Sequence, residues 1–193
     1  DSGSVTFEGE KADFVKPLQG IRSKIALLPE NRRAQGLALT MSVADNINIV
    51  AMDKISRFGV VDNKKGVKIA RSFCEMLQIK TPSVFQVVKN LSGGNQQKVV
   101  ISKWLEQDSD LFIFDEPTVG VDVGAKTEIY KIFETLIGQG KTIILISSYL
   151  PEVMGLADRM LIMYEGKQTA VLSKEEFQDE RIMRLASGIK GKG

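Results

Sequence analysis

The chain contains no histidine among its 193 residues and a single cysteine. Without an imidazole there is no histidine base, metal ligand or proton shuttle, which removes most metalloenzyme and catalytic-triad chemistries. One cysteine excludes an intrachain disulfide. Cys74 lies in "KIARSFCEMLQI", where Ala70, Phe73, Cys74 and Leu77 share one helical face, so it reads as a buried structural thiol in a reducing cytoplasm rather than a nucleophile. No apolar run approaches the ~20 residues of a membrane span, and no signal peptide is visible. An excess of one charge is lacking too. The 26 basic and 24 acidic residues interleave to a net +2, which gives no global case for nucleic acid or an anionic membrane. Also missing is any glycine-rich loop ending in Gly-Lys-Ser or Gly-Lys-Thr.

What is present is ordinary globular composition, 43% hydrophobic and 26% charged, in a length that suits one domain. "SVTFE" (4–8) alternates as a half-buried strand and ends at Gly9. "KIALLPE" (24–30) reads as a buried strand stopped by Pro29, because the residue before proline avoids helical geometry. "ENRRAQGLAL" reads as a polar loop. Ser42 with Asp45 forms a capping box ahead of a helix. An amphipathic helix is expected over 67–79, and the whole stretch to about Val88 reads as helical without a strand. "LFIF" (111–114) and "TIILIS" (142–147) are continuous apolar runs, the pattern of parallel strands covered on both faces. Between them "GAKTEIYKIFETLIGQG" places Ile129, Ile132, Phe133 and Leu136 on one face, completing a β-α-β unit. Pro151 opens a further helix. "RMLIMYEGKQTAVLS" gives two strands turning at Glu165–Gly166, and a helix and a frayed basic "IKGKG" follow. The fold class is therefore α/β with a helical insertion.

Two short motifs carry chemistry. Asp115 and Glu116 follow the "LFIF" strand, and in open parallel sheets ligands bind beyond the carboxyl ends of the strands. An aspartate there can hold Mg²⁺, which keeps much of its water and prefers oxygen ligands, while the next acid can accept a proton from an attacking water. The plainer alternative is that either acid caps the following turn. Upstream, "LSGGNQQK" sets Ser92, Gly93 and Gly94 before a helix expected to start near Asn95. Unpaired N–H groups at a helix start attract anions, and glycine admits a phosphate close to the backbone. A serine cap after a glycine turn would look the same.

Taken together, "LSGGNQQK" followed by "LFIFDEPTVGVD" resembles the signature motif, Walker B strand and D-loop of ABC-type ATPases, which share a P-loop NTPase fold with a helix-flanked parallel sheet. "ALLPENRRAQGL" and "ISSYLPEVMGLADRMLIMYEGK" resemble the second nucleotide-binding half of bacterial monosaccharide importers of the ribose, galactose and xylose type. The likeness runs from "SGSVTFEGE" to "IMRLASG". It implies core pieces at 1–41 and 99–193, and a helical subdomain at 42–98 that ends in the signature and docks on transmembrane permease subunits. It implies ATP and Mg²⁺ as cofactors, in a head-to-tail nucleotide sandwich with a first half or a second copy of the chain. Ser92, Gly93, Gly94 and Gln96 would then meet the nucleotide held opposite. Asp115 would serve the metal, Glu116 would polarise the water, and Asp122 would cross the interface. Glu30 takes the place of a glutamine that reports to the membrane subunits. The resemblance further implies a peripheral location on the cytoplasmic face of the membrane, an indirect link to a sugar-binding protein, and no nucleic-acid partner.

Two departures qualify the likeness. Ser148 stands where the family has a switch histidine, so this half would hydrolyse slowly or act as a non-hydrolytic regulatory half. The Walker A loop and its strand are absent, which is expected if the chain begins just past them. That absence predicts an unpaired apolar edge on the "TIILIS" strand and no ATP turnover by this chain alone. A soluble ABC protein acting on ribosomes is the third class, and its basic insertions are not seen.

Overall fold

A computed structural model describes residues 4–12 and 14–188. The contacts divide the chain into two units, at 1–144 and 145–193.

The first unit opens with a small hairpin, β1 (Thr6–Phe7) and β2 (Glu10–Lys11), and a short helix α1 (Pro17–Arg22) that leads into β3 (Ile25–Leu28). "ENRRAQGLAL" is not a plain loop, because Arg32–Gly36 forms a π-turn capped by Asn31, whose side chain accepts from the Ala34 N–H. Helix α2 (Val43–Asn48) starts on the expected capping box, in which Asp45 N–H donates to Ser42 Oγ and Ser42 N–H returns to the Asp45 carboxylate. A 3₁₀ turn at Met52–Ile55 then runs into β4 (Ser56–Arg57) and β5 (Val60–Val61), a hairpin where sequence periodicity promised none. Two-residue strands are too short to show a period. Their turn is recorded instead in the positive φ of Phe58 (52°) and Gly59 (80°), the geometry that matches strand twist in a tight hairpin.

Helix α3 (Asn63–Met76) begins four residues ahead of the expected start, because Asp62 caps it by accepting from Lys65 N–H. Cys74 is half-buried, and desolvation raises its thiol pKa, which fits an unreactive packing role. Helix α4 (Gly93–Glu106) starts at Gly93, two residues before the expected Asn95, so both glycines lie inside the first turn. Together α2, α3 and α4 bury Val43, Ile47, Ala70, Val99 and Ile101. Backbone bonds from Val43 N–H to Gln86 O and from Val88 N–H to Met41 O fix the segment that delivers the chain to α4.

Strand β6 (Leu111–Asp115) pairs in parallel with β3, Ala26 beside Phe112 and Leu28 beside Phe114. Helix α5 (Val123–Gly138) follows, then β7 (Thr142–Ile146), in the sheet order β3-β6-β7. The face carrying Ala26, Leu28, Phe112 and Phe114 is closed, with the Phe114 ring 4.4 Å from that of Phe133 on α5. The opposite face is more open than the apolar runs imply. Leu27 is 52% and Ile144 45% exposed, so coverage alternates with the strand period. β7 stands at an end of this sheet.

The second unit contains α6 (Leu150–Leu156), the antiparallel pair β8 (Arg159–Tyr164) and β9 (Lys167–Ser173), and α7 (Asp179–Ala186). Met160, Ile162, Leu172 and Ile182 form its core, packed by Val153, Phe177 and Leu185. The turn falls where the sequence put it, on Glu165 and Gly166, both with positive φ. The "IKGKG" end lies outside the described residues. Among the described residues no helix is long and apolar enough to cross a membrane.

Candidate functional site

Ser92 caps α4 through its backbone alone (φ −63°, ψ 159°), and its side chain makes no bond to the first-turn amides. Its Oγ accepts instead from Asn95 Nδ2 at 2.8 Å, and Asn95 Oδ1 accepts from Lys80 N–H at 2.8 Å. Ser92 is thus the N-cap residue of α4, as the serine-cap alternative has it, but without a side-chain cap bond. Gln96 is 2% exposed, and its amide donates to the carbonyls of Val88 (3.2 Å) and Lys89 (3.4 Å), tying α4 to the turn that precedes it.

Each glycine of the turn is required by a close neighbour. A Cβ on Gly93 would stand 2.6 Å from Arg32 Nη2 and 2.9 Å from Gly120 O. One on Gly94 would stand 2.6 Å from Ala125 Cβ on α5. These separations lie far inside carbon contact distance, so glycine here permits three segments to meet.

The second segment is the strand end. Asp115 is the last residue of β6, and Glu116 has φ 46°, a left-handed conformation that costs a non-glycine residue about 1 kcal/mol. Such strain concentrates at functional positions. Both acids are half-buried. The chain then turns through Pro117 and the buried Thr118 to Asp122, whose carboxylate accepts from Ala125 N–H at 2.9 Å and so caps α5.

The third segment follows β3. Glu30 is exposed, and its carbonyl accepts from Arg32 N–H at 3.0 Å. Arg32 reaches the loop after the strand end, donating from Nη1 to Val119 O (2.9 Å) and from Nη2 to Gly120 O (3.3 Å). Its pKa is lowered by burial first and by the neighbouring Arg33 second. Lys103 of α4 donates to Gly36 O at 2.7 Å, and burial pushes its pKa down to about 8. Arg32 escaped sequence reading because "NRRAQG" carries no periodicity, and Lys103 because it sits inside an otherwise ordinary helix. The available signal was a pair of arginines between a strand and a helix in a chain with a phosphate-type turn.

Ser148 belongs to the second unit, exposed in the turn before α6. That turn is fixed by Ser147 Oγ donating to the buried Glu152 at 2.6 Å and accepting from Tyr149 N–H at 3.1 Å. The structure thus brings Ser92, Gly93 and Gly94 to the Glu30 segment and to the loop that joins Glu116 to Asp122.

Among the described residues no three acidic or thiol side chains cluster as a metal cage. Asp115 alone at a strand end still suits Mg²⁺, which takes one or two protein carboxylates and completes its shell with phosphate and water.

Residues 1–119 match a protein-family model described as ABC transporter. A putative ribose/galactose/methyl galactoside import ATP-binding protein 1 of Agrobacterium fabrum is 47% identical over 189 residues, 97% of this chain and 37% of that protein. The xylose import ATP-binding protein XylG of Thermoanaerobacter pseudethanolicus is 44% identical over 188 residues, again 97% of this chain and 37% of the relative. The chain thus spans little more than a third of the curated relatives it matches. Among solved structures, a nucleotide-free ATP-binding cassette from an ABC transporter aligns with TM-score 0.78 at 20% identity, covering 97% of this chain and 78% of that one. A dimeric cassette in a post-hydrolysis state bound to ADP and Pi aligns with TM-score 0.73 at 16% identity, covering 91% and 75%. At such identities the likeness establishes the fold, a P-loop NTPase sheet flanked by helices.

Proposed function

The chain belongs to the ABC transporter family, and from that premise we propose that it is the energy-coupling ATPase part of a monosaccharide importer, the second nucleotide-binding half of the intact protein. The observation that carries this reading is the meeting of Gly93, Arg32 and Gly120, which joins a signature-type turn to the loop leaving Asp115 and Glu116. The sugar class is taken from relatives whose names specify ribose, galactose or xylose import.

In this reading the backbone of Ser92, Gly93 and Gly94 cradles the terminal phosphate of ATP bound to an opposing half, with the α4 dipole favouring the anion. Gln96 contributes indirectly, by holding the turn in place. Asp115 holds Mg²⁺, which when bound neutralises charge on the phosphate oxygens. Glu116 orients the attacking water and accepts its proton, and its strained backbone fixes where that carboxylate starts from. Asp122 contacts the opposing half, which is the first half or a second copy of the chain. Glu30 and the helical stretch 42–98 face the permease subunits on the cytoplasmic side of the membrane, and a sugar-binding protein is linked only through them. Residues 1–41 and 99–193 supply the core pieces.

A non-hydrolytic regulatory half is the second reading. It is favoured by Ser148 and by the absence of any histidine to carry charge to the transition state. Glu116→Gln in the full-length protein, assembled with its membrane subunits, separates the two. Loss of a catalytic base costs about 10²–10⁴ in rate, so sugar-stimulated phosphate release falls at least a hundredfold under the first reading. Unchanged release assigns this half to regulation.

A further inference from the structure

Arg32 lies 87 and 88 positions before the two carbonyls it binds, and it is the side chain on which three loops converge. Its planar fork donates to successive peptide oxygens, Val119 O and Gly120 O, from two different nitrogens. The same Nη2 lies 2.6 Å from the position a Gly93 Cβ would take and 3.7 Å from the corresponding position on Gly120. Gly120 has φ 69°, so the loop carbonyls are presented through a left-handed turn that a larger residue adopts poorly. The segment carrying Arg32 is fastened a second time, through Gly36. The Gly36 carbonyl accepts from Lys103, and its Cα leaves only 3.3 Å between a would-be Cβ and Val100 of α4. The 30–36 segment is therefore clamped at one end to the 119–120 loop and at the other to the helix whose first turn is Gly93–Gly94.

We propose that Arg32 is a positioning residue that couples the Glu30 segment to the Gly93 turn and to the loop ending at Asp122, so that the three move as one body. Displacing the Glu30 segment pulls the Val119 and Gly120 carbonyls with it and shifts the Gly93 backbone that the guanidinium covers. Arg33, exposed and without these bonds, is the internal control. Lysine at position 32 offers one donor head in place of the fork, so it restores one carbonyl contact and not two. The proposal deepens the functional reading above and rests on it for its kinetic test, while the contact itself is open to a separate physical test.

Arg32→Ala, Arg32→Lys and Arg33→Ala are made in the full-length protein assembled with its membrane subunits. Two quantities are measured, sugar-stimulated ATP hydrolysis and hydrogen–deuterium exchange of amides 118–122. Loss of two charge-assisted bonds predicts about a tenfold fall in stimulated kcat for Arg32→Ala, with nucleotide KM changed less than twofold. Arg32→Lys falls between, and Arg33→Ala matches the parent. Exchange across 118–122 accelerates in Arg32→Ala and not in Arg33→Ala. Equal kcat and equal exchange in Arg32→Ala and the parent overturn the proposal. So does a global loss of thermal stability shared by Arg32→Ala and Arg32→Lys, which reduces Arg32 to a structural role. A parent protein with no sugar-stimulated hydrolysis overturns the importer reading instead, and exchange then decides the coupling contact by itself.

Discussion

Glu106, the last residue of α4, is 7% exposed, and among the described residues neither carboxylate oxygen has a hydrogen-bond partner. It also sits at the negative end of the helix dipole, where a carboxylate is disfavoured. The nearby cation is Lys54, which lowers the carboxyl pKa by its charge but directs its ammonium to the Glu106 backbone carbonyl. Burial wins, and the carboxyl is raised from 4.5 to about 7. A folded value above the unfolded one means the native state holds the proton more tightly. The resulting stability is therefore full in acid and is lost as pH rises from the unfolded value through the folded one. Between about pH 5 and pH 8 the loss amounts to about 2 kcal/mol. Few other groups intrude on that window. There is no histidine. Asp108 and Asp110 are held below 3.8, chiefly by hydrogen bonds from Lys141, and Lys103, lowered to about 8, enters only at the top of the window, where it works against the Glu106 trend. Urea denaturation across this range tests the argument. The parent protein weakens by about 2 kcal/mol from pH 5 to pH 8, whereas Glu106→Gln, which has no charge to bury, gives a flatter profile and is the more stable protein at pH 8. Parallel profiles for the two proteins would refute the reasoning.

Gly94→Ala drives a Cβ to 2.6 Å from that of Ala125, so overpacking costs about 1–3 kcal/mol. The double variant with Ala125→Gly recovers most of that loss in a thermal melt. Phe114→Ala empties the closed face of the sheet beside Phe133 and lowers stability by about 3–5 kcal/mol. Leu27→Ala, on the more open face, costs under about 1.5 kcal/mol by the same denaturation assay.

Much of this protein was legible before any coordinates because much of it is local. The Ser42–Asp45 capping box, the Glu165–Gly166 turn, the β6 strand ending at Asp115 and the apolar face of α5 each depend on residues a few positions apart. Backbone sterics and hydrophobic period suffice to specify such elements. The shift of the α4 start from Asn95 to Gly93 marks where local reasoning stops, because a helix boundary also depends on what lies against it.

The sequence by itself determined that the chain builds an α/β sheet with an acid-tipped strand and a serine-glycine turn ahead of a helix. Only the tertiary structure decided that Gly93 is glycine to admit the Gly120 carbonyl, that Gly94 is glycine to admit Ala125, and that the Glu106 carboxyl has no hydrogen-bond partner among the described residues. It also decided that one face of the sheet stays partly open at Leu27. Each of these depends on atoms from segments remote in sequence meeting within a few ångströms, and no periodicity of the chain encodes which segments meet.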